Sequence, residues 1–180
     1  ATVICSRTGY TGENGFELYC PVSETVELAE AIMRLGESEG IRLVGLGARD
    51  SLRLEAGYPL YGHEISKEIS PLQAGLAWTV KWAKPDFFGK DALLREKEEG
   101  IKRKIIHFTL DDRRIARQGE PVLFDEKPVG HVVSGGFSPI LECPMGSALV
   151  NSEVPRQELF VDLRGKQVEL LVKGTPLHKH

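Results

Sequence analysis

The sequence predicts an α+β protein in which a mixed region of strands and helices is followed by a small antiparallel β-barrel or sandwich. Residues 23–56 place apolar side chains at helical spacing, which is typical of surface helices. Residues 104–173 instead hold short apolar runs separated by turn residues, the pattern of an all-β domain. We place the boundary at the Pro-containing link before residue 86, which gives predicted domains at 1–85 and 86–180.

The composition argues against several classes of protein. The 180 residues carry 23 Lys and Arg against 26 Asp and Glu, a formal net charge of -3, so no basic field predicts a nucleic-acid partner. The apolar runs fall well short of the ~20 residues that span a bilayer, so no membrane partner is predicted. Cys5, Cys20 and Cys143 have neither an even count nor Cys-x-x-Cys spacing, which supports neither a disulfide framework nor a zinc cluster and favours a reducing compartment.

The chain begins with two predicted strands joined by a glycine-rich connection. Thr2–Ser6 is apolar and β-branched, and Phe16–Cys20 alternates Phe, Leu and Cys with Glu and Tyr. The intervening Asn14-Gly15 pair favours positive φ, which predicts a hairpin turn.

Two helices and a long loop follow. Ser23 is a suitable N-cap for the first helix, which presents an apolar stripe and ends near residues 36–40. The second helix is predicted from about Ala48 to Ala56 and is closed by Gly57. Tyr58–Ala74 lacks periodicity and contains Pro and Gly, so we expect a long shaped loop.

The remainder is predicted to be mostly β. Leu76–Trp82 alternates as a strand does, with Trp78 and Trp82 expected in the core or between domains, and Lys90–Glu99 is predicted to be a charged helix stopped by Gly100. The later strands are predicted at 104–110, 121–124, 128–134, 147–150, 158–163 and 168–173. The turns between them are expected at Asp125-Glu126-Lys127, Gly135-Gly136 and Arg164-Gly165-Lys166.

Three side chains form a candidate ligand site, namely Tyr10, Glu17 and Arg49. Arg49 lies in the first turn of the second helix, where the helix dipole disfavours a cation, so we expect an anionic group beside it. A carboxylate such as Glu17 accepts paired hydrogen bonds from an aminopyrimidine-like edge, Arg49 pairs with an anionic or carbonyl group, and Tyr10 stacks on a ring. The alternatives are an ordinary Glu17–Arg49 ion pair or a solvated Glu17.

Other chemistries find little support. Gly9, Gly12 and Gly15 match neither Walker A nor the dinucleotide fingerprint, and a strand rather than a helix follows them. No nucleophile and base occur at a meaningful spacing, so no catalytic residue is assigned. The histidines His63, His107 and His131 are scattered, and each is expected to be structural rather than a ligand, so no metal is predicted.

Several motifs, in this order along the chain, resemble the aminomethyltransferase (T-protein) family of the glycine cleavage system. The two longest are residues 6–17, SRTGYTGENGFE, and residues 45–57, GLGARDSLRLEAG. The others are LYGHEI at 60–65, SPLQAGL at 70–76, DFFGK at 86–90 and GHVVSGGFSP at 130–139. Related folate-dependent demethylases and folate-binding domains of amine dehydrogenases share some of these motifs.

The resemblance implies a fold, a ligand and a reaction. It implies three domains around a tetrahydrofolate site, with a C-terminal barrel at about Asp86–Lys173, and it places folate contacts at Glu17 and Arg49 with Tyr10 beside the pterin. It implies that tetrahydrofolate, as co-substrate, takes the methylene carbon of an aminomethyl-lipoyl group carried by the H-protein, with release of ammonia. The implied location is the cytoplasm in a bacterium or the mitochondrial matrix in a eukaryote.

The sequence departs from the family pattern at its start. The family's catalytic aspartate belongs to a portion that precedes the Ser6 motif, and Asp50 lies in a different motif and does not replace it. We therefore expect a C-terminal portion of the enzyme, either a fragment or one half of a split enzyme, that is inactive alone. Its first half should expose strand edges and apolar surface until an N-terminal half covers them. A non-catalytic folate-binding or scaffold module is the alternative.

Overall fold

The computed structural model describes residues 2–178 in two compact units, Ala1–Arg53 and Leu54–His180, called here the N-terminal and C-terminal units. The division between these units rests on which residues contact one another in the structure. The domain boundary predicted between residues 85 and 86 rests on the Pro-containing link in the sequence, and it stays a prediction.

The N-terminal unit starts with two short antiparallel strands, β1 (Ile4–Ser6) and β2 (Glu17–Tyr19), with Ser6 opposite Glu17. Both predicted strands are confirmed, whereas the turn predicted at Asn14-Gly15 is wrong. Positive φ occurs at Gly12 instead, with φ 79°. The connection spans residues 7–16, and such a long loop does not need the primed two-residue turn that demands Asn-Gly.

Helix α1 (Thr25–Leu35) and most of α2 (Leu46–Ala56) complete this unit, and the end of α2 belongs to the C-terminal unit. Gly57 ends α2 as predicted, with φ 77°. Ser23 is not the N-cap of α1. It lies within a 3₁₀ turn at Val22–Glu24, in which the Glu24 N–H donates to the Pro21 carbonyl, so the α-helix begins later.

The C-terminal unit opens with the long loop that the sequence predicted and a charged helix, α3 (Lys90–Glu99), as predicted. The strand predicted at Leu76–Trp82 is wrong, because Ala77–Thr79 forms a 3₁₀ turn. The Thr79 N–H and hydroxyl both donate to the Leu76 carbonyl, at 2.9 and 2.7 Å, so groups that a strand offers to its neighbour are used locally. Trp78 is 75% exposed and is therefore not a core residue.

A seven-stranded antiparallel sheet forms the rest of this unit, in the order β8-β7-β4-β5-β6-β3-β9. Its strands are β3 (Arg103–Thr109), β4 (Pro121–Phe124), β5 (Lys127–Ser138), β6 (Cys143–Asn151), β7 (Phe160–Asp162), β8 (Gln167–Glu169) and β9 (Leu171–Lys173). The predicted strands are therefore confirmed, with the last one divided into two. The turns at residues 125–127 and 164–166 are also confirmed by positive φ at Asp125, Glu126, Arg164 and Gly165.

The turn predicted at Gly135-Gly136 is wrong, since both glycines lie inside β5. A Cβ on Gly135 would lie 1.7 Å from the Ala116 carbonyl oxygen, so glycine is needed there for a close approach of two backbones rather than for a turn.

The buried core belongs to the sheet. One continuous cluster of buried side chains comprises Ile106, Phe108, Leu110, Ala116, Val122, Val132, Ala148, Val150, Leu159, Val161, Leu163, Val168 and Leu170. Among residues 2–52, all of which the structure describes, no side chain is buried. The two units therefore differ sharply in how much apolar surface they cover by themselves.

Candidate functional site

The structure brings Tyr10 and Arg49 together in the N-terminal unit. The Arg49 guanidinium carbon lies 4.7 Å from the centre of the Tyr10 ring, a cation–π arrangement. Arg49 occupies the first turn of α2, where the sequence predicts a neighbouring anion to stabilise its positive charge. The electron-rich face of the tyrosine ring supplies part of that stabilisation.

Glu17 belongs to a separate group of polar side chains at the start of the hairpin. Its Oε2 accepts a hydrogen bond from the Thr8 hydroxyl at 2.5 Å, and the Thr8 and Ser6 hydroxyl oxygens lie 2.9 Å apart. The antiparallel register explains this grouping, because Ser6 lies directly opposite Glu17. The Glu17–Arg49 ion pair left open by the sequence is not formed in the described part of the chain.

The number of hydroxyl protons determines which side chain donates in each hydrogen bond of this group. A carboxylate only accepts, and Thr8 has one hydroxyl proton, so Thr8 donates that proton to Glu17 and the contact between Thr8 and Ser6 uses the proton of Ser6. The result is a chain from Ser6 through Thr8 to Glu17. It commits Oε2 of Glu17 and leaves Oε1 to accept from a ligand.

Contacts between its two ends stabilise the glycine-rich loop that joins the two strands. The Arg7 side chain donates to Asn14 Oδ1 at 2.9 Å and lies over the Phe16 ring at 5.1 Å. These contacts tie the first and last parts of the loop together, with Tyr10 and Gly12 between them. The loop therefore carries the Tyr10 ring, over which Arg49 of α2 lies, and the Glu17 carboxylate follows directly after the loop.

Two buried carboxylates in the C-terminal unit were not singled out from the sequence. Glu55 accepts from the Ser138 hydroxyl at 2.5 Å and from the Ile140 N–H at 3.3 Å. Glu64 accepts from the Leu60 N–H at 2.9 Å and from the Ser147 hydroxyl. Their serine partners on the sheet, Ser138 and Ser147, are each 83 residues away in sequence, so no local pattern identifies these pairs. For Glu55, its position between the apolar residues Leu54 and Ala56 is a sequence feature that indicates a buried acid.

His63, which the sequence predicts to be structural, is held against the sheet through one ring nitrogen, and that it has only a structural role stays a prediction. Its Nδ1 lies 2.7 Å from the Val133 carbonyl and 3.2 Å from the Ser134 hydroxyl, which joins the long loop to β5. Within residues 2–178 no cluster of three His, Cys, Asp or Glu side chains is arranged to hold a metal ion.

A strong electrostatic perturbation lies away from these residues, at Asp112. Side-chain and backbone hydrogen bonds from Arg114, with a further one from Lys166, hold the pKa of Asp112 well below its usual range. Arg114 also donates to the Leu163 carbonyl at 2.8 Å, so this ion pair fastens the segment after β3 to the strand region near β7.

Comparisons with known proteins find a family model in each half of the chain. The GCVT N-terminal domain model matches residues 1–84, and the glycine cleavage T-protein C-terminal barrel domain model matches residues 103–179. A search for membrane-spanning helices in the described residues found no candidate.

Relatives and a solved structure point the same way. The aminomethyltransferase of Thermoanaerobacter pseudethanolicus is 49% identical over 174 residues, 97% of this chain and 45% of that protein. That of Pseudothermotoga lettingae is 45% identical over 177 residues, 98% of this chain and 49% of that protein. The crystal structure of glycine cleavage system aminomethyltransferase T from Bartonella henselae matches with a TM-score of 0.89 and 37% identity, over 97% of this chain and 49% of that one. The chain thus spans about half the length of the relatives it matches.

Proposed function

This chain belongs to the glycine cleavage T-protein (aminomethyltransferase) family, and we propose that it supplies the pterin-binding residues of a tetrahydrofolate-dependent aminomethyltransferase. In that reaction the methylene carbon of an aminomethyl-lipoyl group on the H-protein passes to tetrahydrofolate. Ammonia is released, the lipoyl sulfur is left as a thiol, and 5,10-methylenetetrahydrofolate is formed. The partners are therefore tetrahydrofolate and a lipoyl-bearing H-protein, and no metal is required.

The observation that carries this proposal is the oriented carboxylate of Glu17. Because Thr8 fixes Oε2, Glu17 presents a defined edge to the N–H groups of the pterin aminopyrimidine ring. Tyr10 and Arg49 supply a ring face and a cation for the rest of the ligand. These residues bind and orient the pterin, and none of them is proposed to transfer a proton.

The exposed apolar surface of the N-terminal unit supports a further part of the proposal. Ile4, Val26, Leu35 and Leu43 are between 69% and 82% exposed, on a strand, a helix and the segment before α2. We assign this surface to the N-terminal portion of a T-protein, whether on the same or another polypeptide, which also brings the catalytic aspartate. Residues 1–180 by themselves do not turn over, and the working location is the cytoplasm or the mitochondrial matrix.

Complementation tests this function. The chain is mixed with the N-terminal portion of the Thermoanaerobacter pseudethanolicus aminomethyltransferase, aminomethylated H-protein and tetrahydrofolate, and ammonia and 5,10-methylenetetrahydrofolate are measured. We expect turnover only in the complete mixture, its loss with Glu17→Gln, and its retention with Glu27→Gln, a matched change on the exposed face of α1. Folate binding without turnover in every mixture would instead support the non-catalytic module, and turnover on a methylated amine without H-protein would support a demethylase.

A further inference from the structure

A cleft of about 440 Å³ lies in the C-terminal unit, and its lining includes none of the three pterin-site residues. Polar side chains from separate segments converge on it, namely His63, Lys67, Arg103, Gln118 and His131. The first two belong to the long loop, Arg103 begins β3 and His131 lies in β5. The volume falls within the range of roughly 300–1,000 Å³ that small-molecule sites occupy.

Three of these polar side chains are fixed by backbone carbonyls. His63 Nδ1 lies 2.7 Å from the Val133 carbonyl, Arg103 Nη2 donates to the Glu68 carbonyl at 2.8 Å, and Gln118 Nε2 donates to the Gly62 carbonyl at 3.1 Å. Since a carbonyl oxygen only accepts, Nδ1 of His63 carries the proton and Nε2 is the ring atom left for a ligand. Fixing these groups before a ligand arrives lowers the entropy cost of binding.

The charges of the cleft favour an anion. Lys67 and Arg103 bring two positive charges to the lining and Glu68 brings one negative charge, and Oε2 of Glu68 already accepts the Ser66 hydroxyl at 2.8 Å. Arg103 donates one N–H to the Glu68 carbonyl. The other N–H groups of its planar guanidinium are available to donate to a carboxylate or phosphate. Ile69, Val133 and Leu149 give the cleft an apolar side for the organic part of a ligand.

We propose that this cleft binds a small-molecule oxyanion, an organic phosphate or carboxylate, at a site separate from the proposed pterin residues. The inference does not rest on the proposed function, because all of its residues lie in the C-terminal unit and their arrangement needs no folate. Arg103 and Lys67 donate to the anionic group, His131 donates a ring N–H, and Nε2 of His63 accepts from a hydroxyl of the ligand.

Amide NMR titration of the full chain tests this proposal, with inorganic phosphate and succinate as probes at constant ionic strength. We expect saturable shifts at residues around the cleft, and at least tenfold weaker binding in Lys67→Gln and in the Lys67→Gln/His131→Gln double variant. Both substituted side chains are exposed, so the fold should be retained, and thermal unfolding of each variant checks this. Lys127→Gln, the same charge change at the start of β5, is the matched control and should bind as the parent does.

The outcomes separate clearly. Tighter binding of phosphate identifies the natural ligand class as a phosphate, and tighter binding of succinate identifies a carboxylate. Linear shifts that never saturate, saturable shifts elsewhere, or equal weakening by Lys67→Gln and Lys127→Gln would each overturn the proposal.

Discussion

Both units of this chain contain elements with an apolar face, but the two units differ sharply in how much of that face is buried. Helix α1 has a clear apolar stripe, yet no residue in it is buried, whereas the sheet of the C-terminal unit closes over a continuous core. An amphipathic pattern therefore predicts which face of an element is covered but not whether this chain supplies the cover. The candidate pterin residues lie in the unit that lacks a core, and the proposed oxyanion cleft lies in the unit that has one.

The largest difference should appear when the same substitution is made in both units. Leu110→Ala removes a side chain that is 2% exposed and should destabilise the protein by about 2–5 kcal/mol. Leu35→Ala removes one that is 76% exposed in a helix, where alanine is favourable, and should change stability by less than about 0.5 kcal/mol. Urea unfolding followed by circular dichroism measures both, and equal losses would show that the N-terminal unit is packed after all.

The second comparison concerns the binding of folate, which should depend on residues of the N-terminal unit, the unit that has no buried core. Arg49→Ala should weaken binding of a reduced folate by about tenfold or more, the loss of one charge-assisted hydrogen bond of about 1.5–3 kcal/mol. Calorimetry with the N-terminal portion of a relative present measures it. Arg34→Ala, an exposed cation in α1, is the control, and an unchanged affinity in Arg49→Ala would remove Arg49 from the site.

The regions predicted well from sequence are those whose geometry is fixed locally. Lys90–Glu99 is bounded by glycines, and the turns at residues 125–127 and 164–166 carry their own backbone preferences. Leu76–Trp82 was misassigned because alternation does not provide the neighbouring strand that a β-strand needs. Gly135-Gly136 was misassigned because the close approach of Gly135 to Ala116 arises from tertiary structure, which the local sequence does not reveal.

The same distinction applies to the candidate site. Sequence singled out Arg49 through its position at a helix start, and the structure supplies Tyr10 as its neighbour. The hydroxyl chain from Ser6 to Glu17 was missed, since it depends on strand register rather than on spacing. The identity of the ligand came from the resemblance, because carboxylate, guanidinium and phenol groups alone fit many ligands.

The hydroxyl chain makes a smaller and more specific prediction. Thr8→Val keeps the shape of the side chain but removes the proton donated to Glu17, so folate binding should weaken by about three- to tenfold, equivalent to about 0.5–1.5 kcal/mol. Thr8→Ser restores the hydroxyl and should restore most of the affinity. If Thr8→Val binds as tightly as the parent, Glu17 does not need this orientation, even where Glu17→Gln abolishes binding.

The smallest expected effect is electrostatic and belongs to the C-terminal unit. Hydrogen bonds from Arg114 lower the pKa of Asp112 in the folded state, so its stabilising contribution is complete above the unfolded pKa of about 4 and declines as the pH falls below it. Asp112→Asn should therefore lower the Tm at pH 7, by an amount that stays constant to about pH 5 and shrinks at lower pH. A difference that grows on acidification would contradict this sign.

The most direct test is calorimetric titration of the 180-residue chain with a stable reduced folate, with and without the N-terminal portion of a relative, in parallel with Glu17→Ala. We predict that the N-terminal portion binds the chain, that folate binds the mixture more tightly than the chain alone, and that Glu17→Ala removes folate binding but not association. Folate binding that survives Glu17→Ala, or no association with the N-terminal portion, would contradict the assignment of the pterin site and of the exposed apolar surface, respectively.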